Sequence, residues 1–257
     1  MAAVGQGTWG MGETRGTEKG EVAVLRLGIE LGMTHIDTAE MYADGGSERV
    51  VGRAVEGRRS EVFITTKVWP DNASYAGTIR ACEGSLRRLR TDYIDLYLLH
   101  WPSTHPIEET MRAMQELVRR SLIRFIGVSN FDVAQLKAAQ AALTRERLAC
   151  NQVLYHLRDR KIELDLLSYC EKHSIAAVGY TPLARGGFHR GLVAEISKKY
   201  GRTPRQVALN FLTRRPSLFT IPKASQAEHV RENAAALDIT LSPDDLKVIA
   251  QATAPSP

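Results

Sequence analysis

The chain is poor in cysteine: Cys82, Cys150 and Cys170 are odd in number and far apart in 257 residues. Such a set fits neither a disulfide framework nor the ligand spacing of a zinc site, and it points to a reducing, cytoplasmic setting. Long apolar runs are also missing. Nothing approaches the roughly 18 uncharged residues of a membrane-spanning helix, so no membrane association is expected. The first residues, Met1-Ala2-Ala3-Val4-Gly5, carry no basic segment ahead of an apolar one, so no secretion signal is expected. Linkers, low-complexity stretches and composition shifts are lacking, which favours a single domain over residues 1–257. A G-x-G-x-x-G after the first apolar run is absent too, which weighs against an open doubly wound sheet.

Apolar residues in regular alternation are plentiful. Hydrophobic residues make up 44% of the chain, enough for one large core. Strand-like runs fall at 3–6, 34–38, 62–68, 94–100, 123–129, 149–153, 176–181 and 218–222, and helical patterns separate them. Val22, Leu25 and Ile29 recur with a period near 3.6, as do Met111, Met114, Leu117 and Val118. Ser242-Pro243 and Thr203-Pro204 read as helix starts, and Ser225 with Glu228 has capping-box spacing. Eight β/α units in this length predict a (β/α)8 TIM barrel, with its site at the carboxyl ends of the strands.

Net charge is +5. The basic residues read as dispersed along helices, as at Arg80, Arg87, Arg88 and Arg90 or Lys198 and Lys199, without the interleaved aromatics of a nucleic-acid surface. Solvated helix faces with a mild pull on phosphorylated small molecules are the expectation.

Asp37, Lys67 and His100 close the second, third and fourth strand-like runs, and Tyr42 follows on the loop after the second. Neighbouring barrel strands would gather all four at one mouth. A phenol with a reference pKa near 10 is a weak acid at neutral pH, and an adjacent ammonium favours its phenolate by roughly one to three units. Asp37 would hold Lys67 charged, and His100 would hydrogen-bond the oxygen that Tyr42 protonates. Such a group suits hydride reduction of a carbonyl, where negative charge grows on oxygen. Trp9, Trp69 and Trp101 all follow strand-like runs at the same end and read as an apolar wall for a carbonyl substrate.

Gly32-Met33-Thr34-His35-Ile36-Asp37-Thr38-Ala39-Glu40-Met41-Tyr42, with Glu48 and Val51-Gly52, resembles the first signature of the aldo-keto reductases. Leu89-Arg90-Thr91-Asp92-Tyr93-Ile94-Asp95-Leu96 leading into His100-Trp101-Pro102 resembles the second, and Ile221-Pro222-Lys223-Ala224-Ser225 the third. Within the family, Gly5-Gln6-Gly7-Thr8-Trp9-Gly10-Met11-Gly12 and Asp44-Gly45-Gly46 are most similar to bacterial methylglyoxal reductases of short-tailed type. The resemblance implies NADPH-dependent reduction of aldehydes and ketones by a monomer, with Asp37, Tyr42, Lys67 and His100 as catalytic tetrad and Tyr42 as general acid. It implies Ser129, Asn130 and Gln152 at the nicotinamide carboxamide, Tyr180 stacked on the ring, and Thr181 and Leu183 at the pyrophosphate. Lys223, Ser225, His229, Glu232 and Asn233 fall at the adenosine end.

The chain departs from the family pattern at three places. The N-terminal hairpin on the barrel floor is missing, and the chain stops soon after 243–250, which predicts an open pocket. His229 stands where many NADPH-preferring relatives carry arginine, so the phosphate contact is expected to rest on Lys223 and to be weaker. A metal-dependent hydrolase would need more strand-end ligands than His35, Asp37 and His100; His105, His156, His173, His189 and His229 fall in loops or helices. No metal is expected. A barrel that binds nucleotide without turnover is the other rival, since fold does not fix function.

Overall fold

The computed structural model describes residues 1–187 and 190–255. Eight strands, β1 (Gln6–Gly7), β2 (His35–Asp37), β3 (Phe63–Val68), β4 (Ile94–Leu99), β5 (Ile123–Ser129), β6 (Leu148–Leu154), β7 (Ala176–Tyr180) and β8 (Leu218–Thr220), pair in parallel in chain order. The ladder closes: Thr220 N–H donates to Ala3 O at 2.8 Å, Gly5 N–H to Thr220 O at 2.7 Å and Gly7 N–H to Pro222 O at 3.1 Å. The expected first strand at 3–6 is therefore displaced toward Gln6–Gly7, with Val4 as a single bridge to Thr220. Residues 1–5 contain no hairpin. The result is a (β/α)8 barrel, as the alternation predicts.

Helices pack outside: α1 (Glu18–Glu30), α2 (Gly46–Ala54), α3 (Tyr75–Leu89), α4 (Ile107–Arg119), α5 (Val133–Ala142), α6 (Leu166–Lys172), α7 (Arg190–Lys199), α8 (Pro204–Leu212), α9 (Ala227–Ala234) and α10 (Pro243–Ala252). Their apolar stripes match the sequence pattern. Val24, Leu25 and Ile29 of α1, and Met111, Met114 and Leu117 of α4, are buried. Ser74, Asp132, Thr203 and Ser242 each accept a backbone N–H at a helix start, and Gln135 and Gln206 complete capping boxes. The box expected from Ser225 and Glu228 does not form. Helix α9 starts at Ala227, one turn position too late for Ser225 to reach its orphan amides, and Gln226 caps it without a side-chain bond.

Side chains alternate between two cores, as a parallel barrel requires. Leu96, Leu98, Cys150, Val178 and Ile221 form a small cluster inside the strands. Tyr97 and Leu99, one residue out of phase on β4, belong to the larger cluster shared with the helices. Lys67 pairs in register with Leu98, Leu98 with Gly127, and Gly127 with Cys150. Registered residues face the same way, so Lys67 enters the barrel interior. Gly127 makes that layer possible: a Cβ there would lie 2.4 Å from Leu98 Cδ2 and 2.9 Å from Cys150 O.

Candidate active site

The carboxyl ends of the strands surround a cleft of about 550 Å³. Among the residues named from sequence, Trp9, Asp37, Tyr42, His100, Trp101, Ser129, Asn130, Gln152, Tyr180, Thr181, Leu183 and Lys223 line it.

Lys67 lies directly beneath, fully buried, and its three donor hydrogens have three acceptors in reach. Nζ lies 2.6 Å from Asp37 Oδ1, 2.8 Å from Thr38 O and 3.5 Å from Tyr42 Oη. Burial pulls the pKa of this ammonium down, and the Asp37 carboxylate, aided by Tyr42, more than reverses that, so the net direction is upward. The other Asp37 oxygen accepts Gln152 Nε2 at 2.6 Å. Both carboxylate oxygens are thus engaged, which offsets part of the cost of burying the group; burial still prevails and raises its pKa, while the Lys67 charge and the bonds from Lys67 and Gln152 pull it down.

Tyr42 departs from expectation in its acidity. Its pKa is raised, not lowered: burial is the largest cause, and the Asp37 charge adds to it, while Lys67 pulls the other way. The ammonium does not dominate because burial of the phenol outweighs it, with the Asp37 charge adding on the same side as burial. The phenol consequently stays protonated throughout the neutral range. His100 stacks edge-on to Tyr42 with ring centroids 5.5 Å apart. Burial, then the nearby Lys67 charge, lowers its pKa to about 2, so the imidazole is neutral.

A second chain of contacts crosses the far wall. Tyr180 Oη donates to Asn130 Oδ1 at 2.9 Å, and Asn130 Nδ2 reaches His100 O at 3.3 Å and Ser129 Oγ at 3.1 Å. Asn130 holds φ at 61°, a left-handed conformation that asparagine tolerates better than most residues. Trp101 packs on His100 with centroids 4.8 Å apart. Trp9 is 58% exposed at the rim, with the Arg185 guanidinium 5.2 Å from its ring.

Besides Lys67 beneath it, five expected residues do not line the cleft. Trp69 is 40% exposed, its backbone drawn toward Glu40, whose Oε1 accepts Trp69 N–H at 2.6 Å and Asn72 Nδ2 at 3.0 Å. Ser225 is exposed and His229 half-buried near the start of α9. Glu232 pairs with Arg205 at 2.9 Å. Asn233 is buried, and its Oδ1 has no hydrogen-bond partner among the described residues. Lining residues given no role of their own from the sequence include Thr8, whose Oγ1 bonds Asp37 O at 2.9 Å, and Met41. A polar residue just past the first strand was the available signal for Thr8. His189 lies outside the described residues. Among the described residues no group of three or more His, Cys, Asp or Glu could hold a metal ion, and no helix is long and apolar enough to cross a membrane.

Comparison with known proteins identifies the family. Methylglyoxal reductase YeaE of Escherichia coli K12 is 47% identical over 258 residues, covering 98% of this chain and 91% of that protein. An aldo/keto reductase from Klebsiella pneumoniae, crystallised with NADP and acetate, superposes with a TM-score of 0.95 at 47% identity, over 100% of this chain and 93% of that one. A second Klebsiella pneumoniae structure, an aldo-keto reductase in complex with NADPH, gives the same score and identity over 100% and 92%. The sequence pattern of the Aldo/keto reductase family matches residues 3–193 and 189–254, and the chain belongs to that family.

Proposed function

We propose that the chain reduces small and aromatic aldehydes and ketones to alcohols, methylglyoxal among them, with NADPH as reductant. The observation that carries this reading is the Lys67 ammonium held between Asp37, at 2.6 Å, and the Tyr42 hydroxyl, at 3.5 Å, beneath an open cleft. Tyr42 gives its proton to the carbonyl oxygen as negative charge develops there. Lys67 then faces the phenolate at short range inside the barrel, where its charge acts with little screening by water. Asp37 keeps Lys67 charged, and Gln152 keeps Asp37 in place. Neutral His100 donates one ring N–H to the same carbonyl oxygen and orients it. Trp9 and Trp101 supply the apolar wall, and Trp69 is not part of it.

NADPH supplies the hydride when bound. The residues present fit it: Asn233 Oδ1 is a buried acceptor without a partner, suited to an exocyclic amine, and Lys223 at the cleft edge suits a phosphate. In this reading Asn130 and Ser129 hold a carboxamide, Tyr180 stacks on its ring, and Thr181 and Leu183 cover the pyrophosphate, which their position on the cleft lining supports. Ser225, His229 and Glu232 flank Asn233 and Lys223 in sequence and complete the adenosine end. The working unit in this reading is a monomer, and three buried free thiols support a reducing compartment such as the cytoplasm.

The test is the loss of NADPH absorbance with methylglyoxal or a nitrobenzaldehyde. Tyr42→Phe should lower kcat by about 10²–10⁴ with the fold intact. Equal rates for wild type and variant across such aldehydes would replace this reading with nucleotide binding without turnover.

A further inference from the structure

The basic residues are less dispersed than the sequence suggests. Arg49 and Arg53 of α2 meet Arg87 and Arg88 of α3, with Arg90 at its C-cap, around a cavity of about 280 Å³ on the outside of the barrel. Only Gly84 completes its lining, and none of these residues lines the carbonyl-reduction cleft. Gly84 leaves room for the arginines, since a Cβ there would lie 3.1 Å from Arg88 Nη1.

Two of the five guanidiniums are matched by carboxylates. Arg88 Nε binds Glu48 at 2.5 Å, and Arg53 binds Glu18 at 2.5 Å. Arg49 reaches only the Asp44 carbonyl oxygen, at 3.3 Å. Arg87 and Arg90 make no ion pair among the described residues, and Arg90 is held with φ at 54°. The carbonyls at the end of α3 favour Arg87 and Arg88 locally. They do not explain why Arg49 and Arg53 of a second helix turn to the same space.

We propose that this cavity binds a compact polyphosphate, a linear chain of two or three phosphoryl groups, free or as the tail of a nucleotide. Guanidinium forks match phosphate oxygens in pairs, and three uncompensated positive charges suit a ligand of comparable negative charge. The cavity is concave and small and has no aromatic lining on which a base could stack, so an extended nucleic acid does not fit it.

Isothermal titration with inorganic tripolyphosphate at low salt, on the full chain with and without saturating NADPH, tests this. Saturable binding at one site is expected in both conditions. Arg87→Gln/Arg90→Gln should weaken it about ten- to a hundredfold, with melting temperature and carbonyl reduction retained. Lys223→Ala, in the cleft, should leave it unchanged. Should the double variant misfold, the exposed Arg49→Gln provides the same reading. ATP that binds with the same dependence on Arg87 and Arg90 assigns the site to a nucleotide tail, and tripolyphosphate binding without ATP binding assigns it to free polyphosphate. No saturable binding, equal binding by the arginine variants, loss through Lys223→Ala, or tighter binding of a single-stranded RNA than of tripolyphosphate would overturn the proposal.

Discussion

Replacing Asp37 by Asn tests whether the buried pair with Lys67 organises the site. The change keeps shape and an oxygen for Gln152 Nε2 but removes the charge 2.6 Å from an ammonium with no solvent exposure. Breaking one side of a buried pair costs about 3–5 kcal/mol. At roughly 2 °C per kcal/mol for a chain of this size, the melting temperature should fall by about 6–10 °C. The pH dependence gives a sharper reading. In wild type the Lys67 pKa is raised, so its contribution is complete below the unfolded value near 10.4 and is lost only as pH rises through the folded one. In Asp37→Asn the main raising influence is gone and burial, which lowers the pKa, prevails. The folded variant then binds its proton less well than the unfolded chain, and its stability should rise with pH toward about 10. Thermal melts followed by circular dichroism at about pH 7 and about pH 9.5 should show the gap to wild type narrowing. Lys67→Met/Asp37→Asn, which leaves no unpaired charge, should melt above the single variant. A constant or widening gap, or a double variant no more stable than Asp37→Asn, would refute the reasoning.

His100 is neutral above about pH 2, so kcat/KM should show no inflection near its ordinary value between pH 5 and 9; a limb near 6.5 that disappears in a His100 variant would contradict this. His35, held neutral mainly by burial with a pKa of about 3, behaves alike. The unfolded chain takes up protons on both histidines that the folded chain refuses, so stability is complete above about pH 6.5 and falls as pH drops toward about 3; equal melting temperatures at pH 7 and 5 would count against it. His229→Arg should lower the KM for NADPH and leave that for NADH little changed, and equal shifts for both would show that this position does not read the phosphate. Gly52→Ala should destabilise by about 1–3 kcal/mol despite alanine's helix preference, because its Cβ would lie 2.7 Å from Leu89 O and 2.9 Å from Arg88 O; chemical denaturation gives the measurement, and a more stable variant would oppose it.

Strand count, helix stripes and three of four tetrad positions were open to inspection in the chain, because they depend on local periodicity. An eight-fold β/α alternation has one closed solution, and parallel strands send all their carboxyl ends to one face. Asp37, Lys67 and His100 are therefore legible as strand-end residues, and Tyr42 as their neighbour on the following loop. What local pattern does not encode is who meets whom across that face. The bond from Gln152 to Asp37 spans 115 residues, and nothing near either one announces it. The direction of the Tyr42 shift depended on a balance between burial and two opposed charges, which needs distances and solvent exclusion as well as residue types. Ser225 and Glu228 had the right spacing, but α9 starts where the β8 loop delivers it. The arginines of α2 and α3 look scattered along the chain because helix packing, and not sequence proximity, brings them around one cavity. Residue order thus sets the barrel and the chemistry at its mouth, while packing distances settle ionisation, partner choice and the gathering of charge.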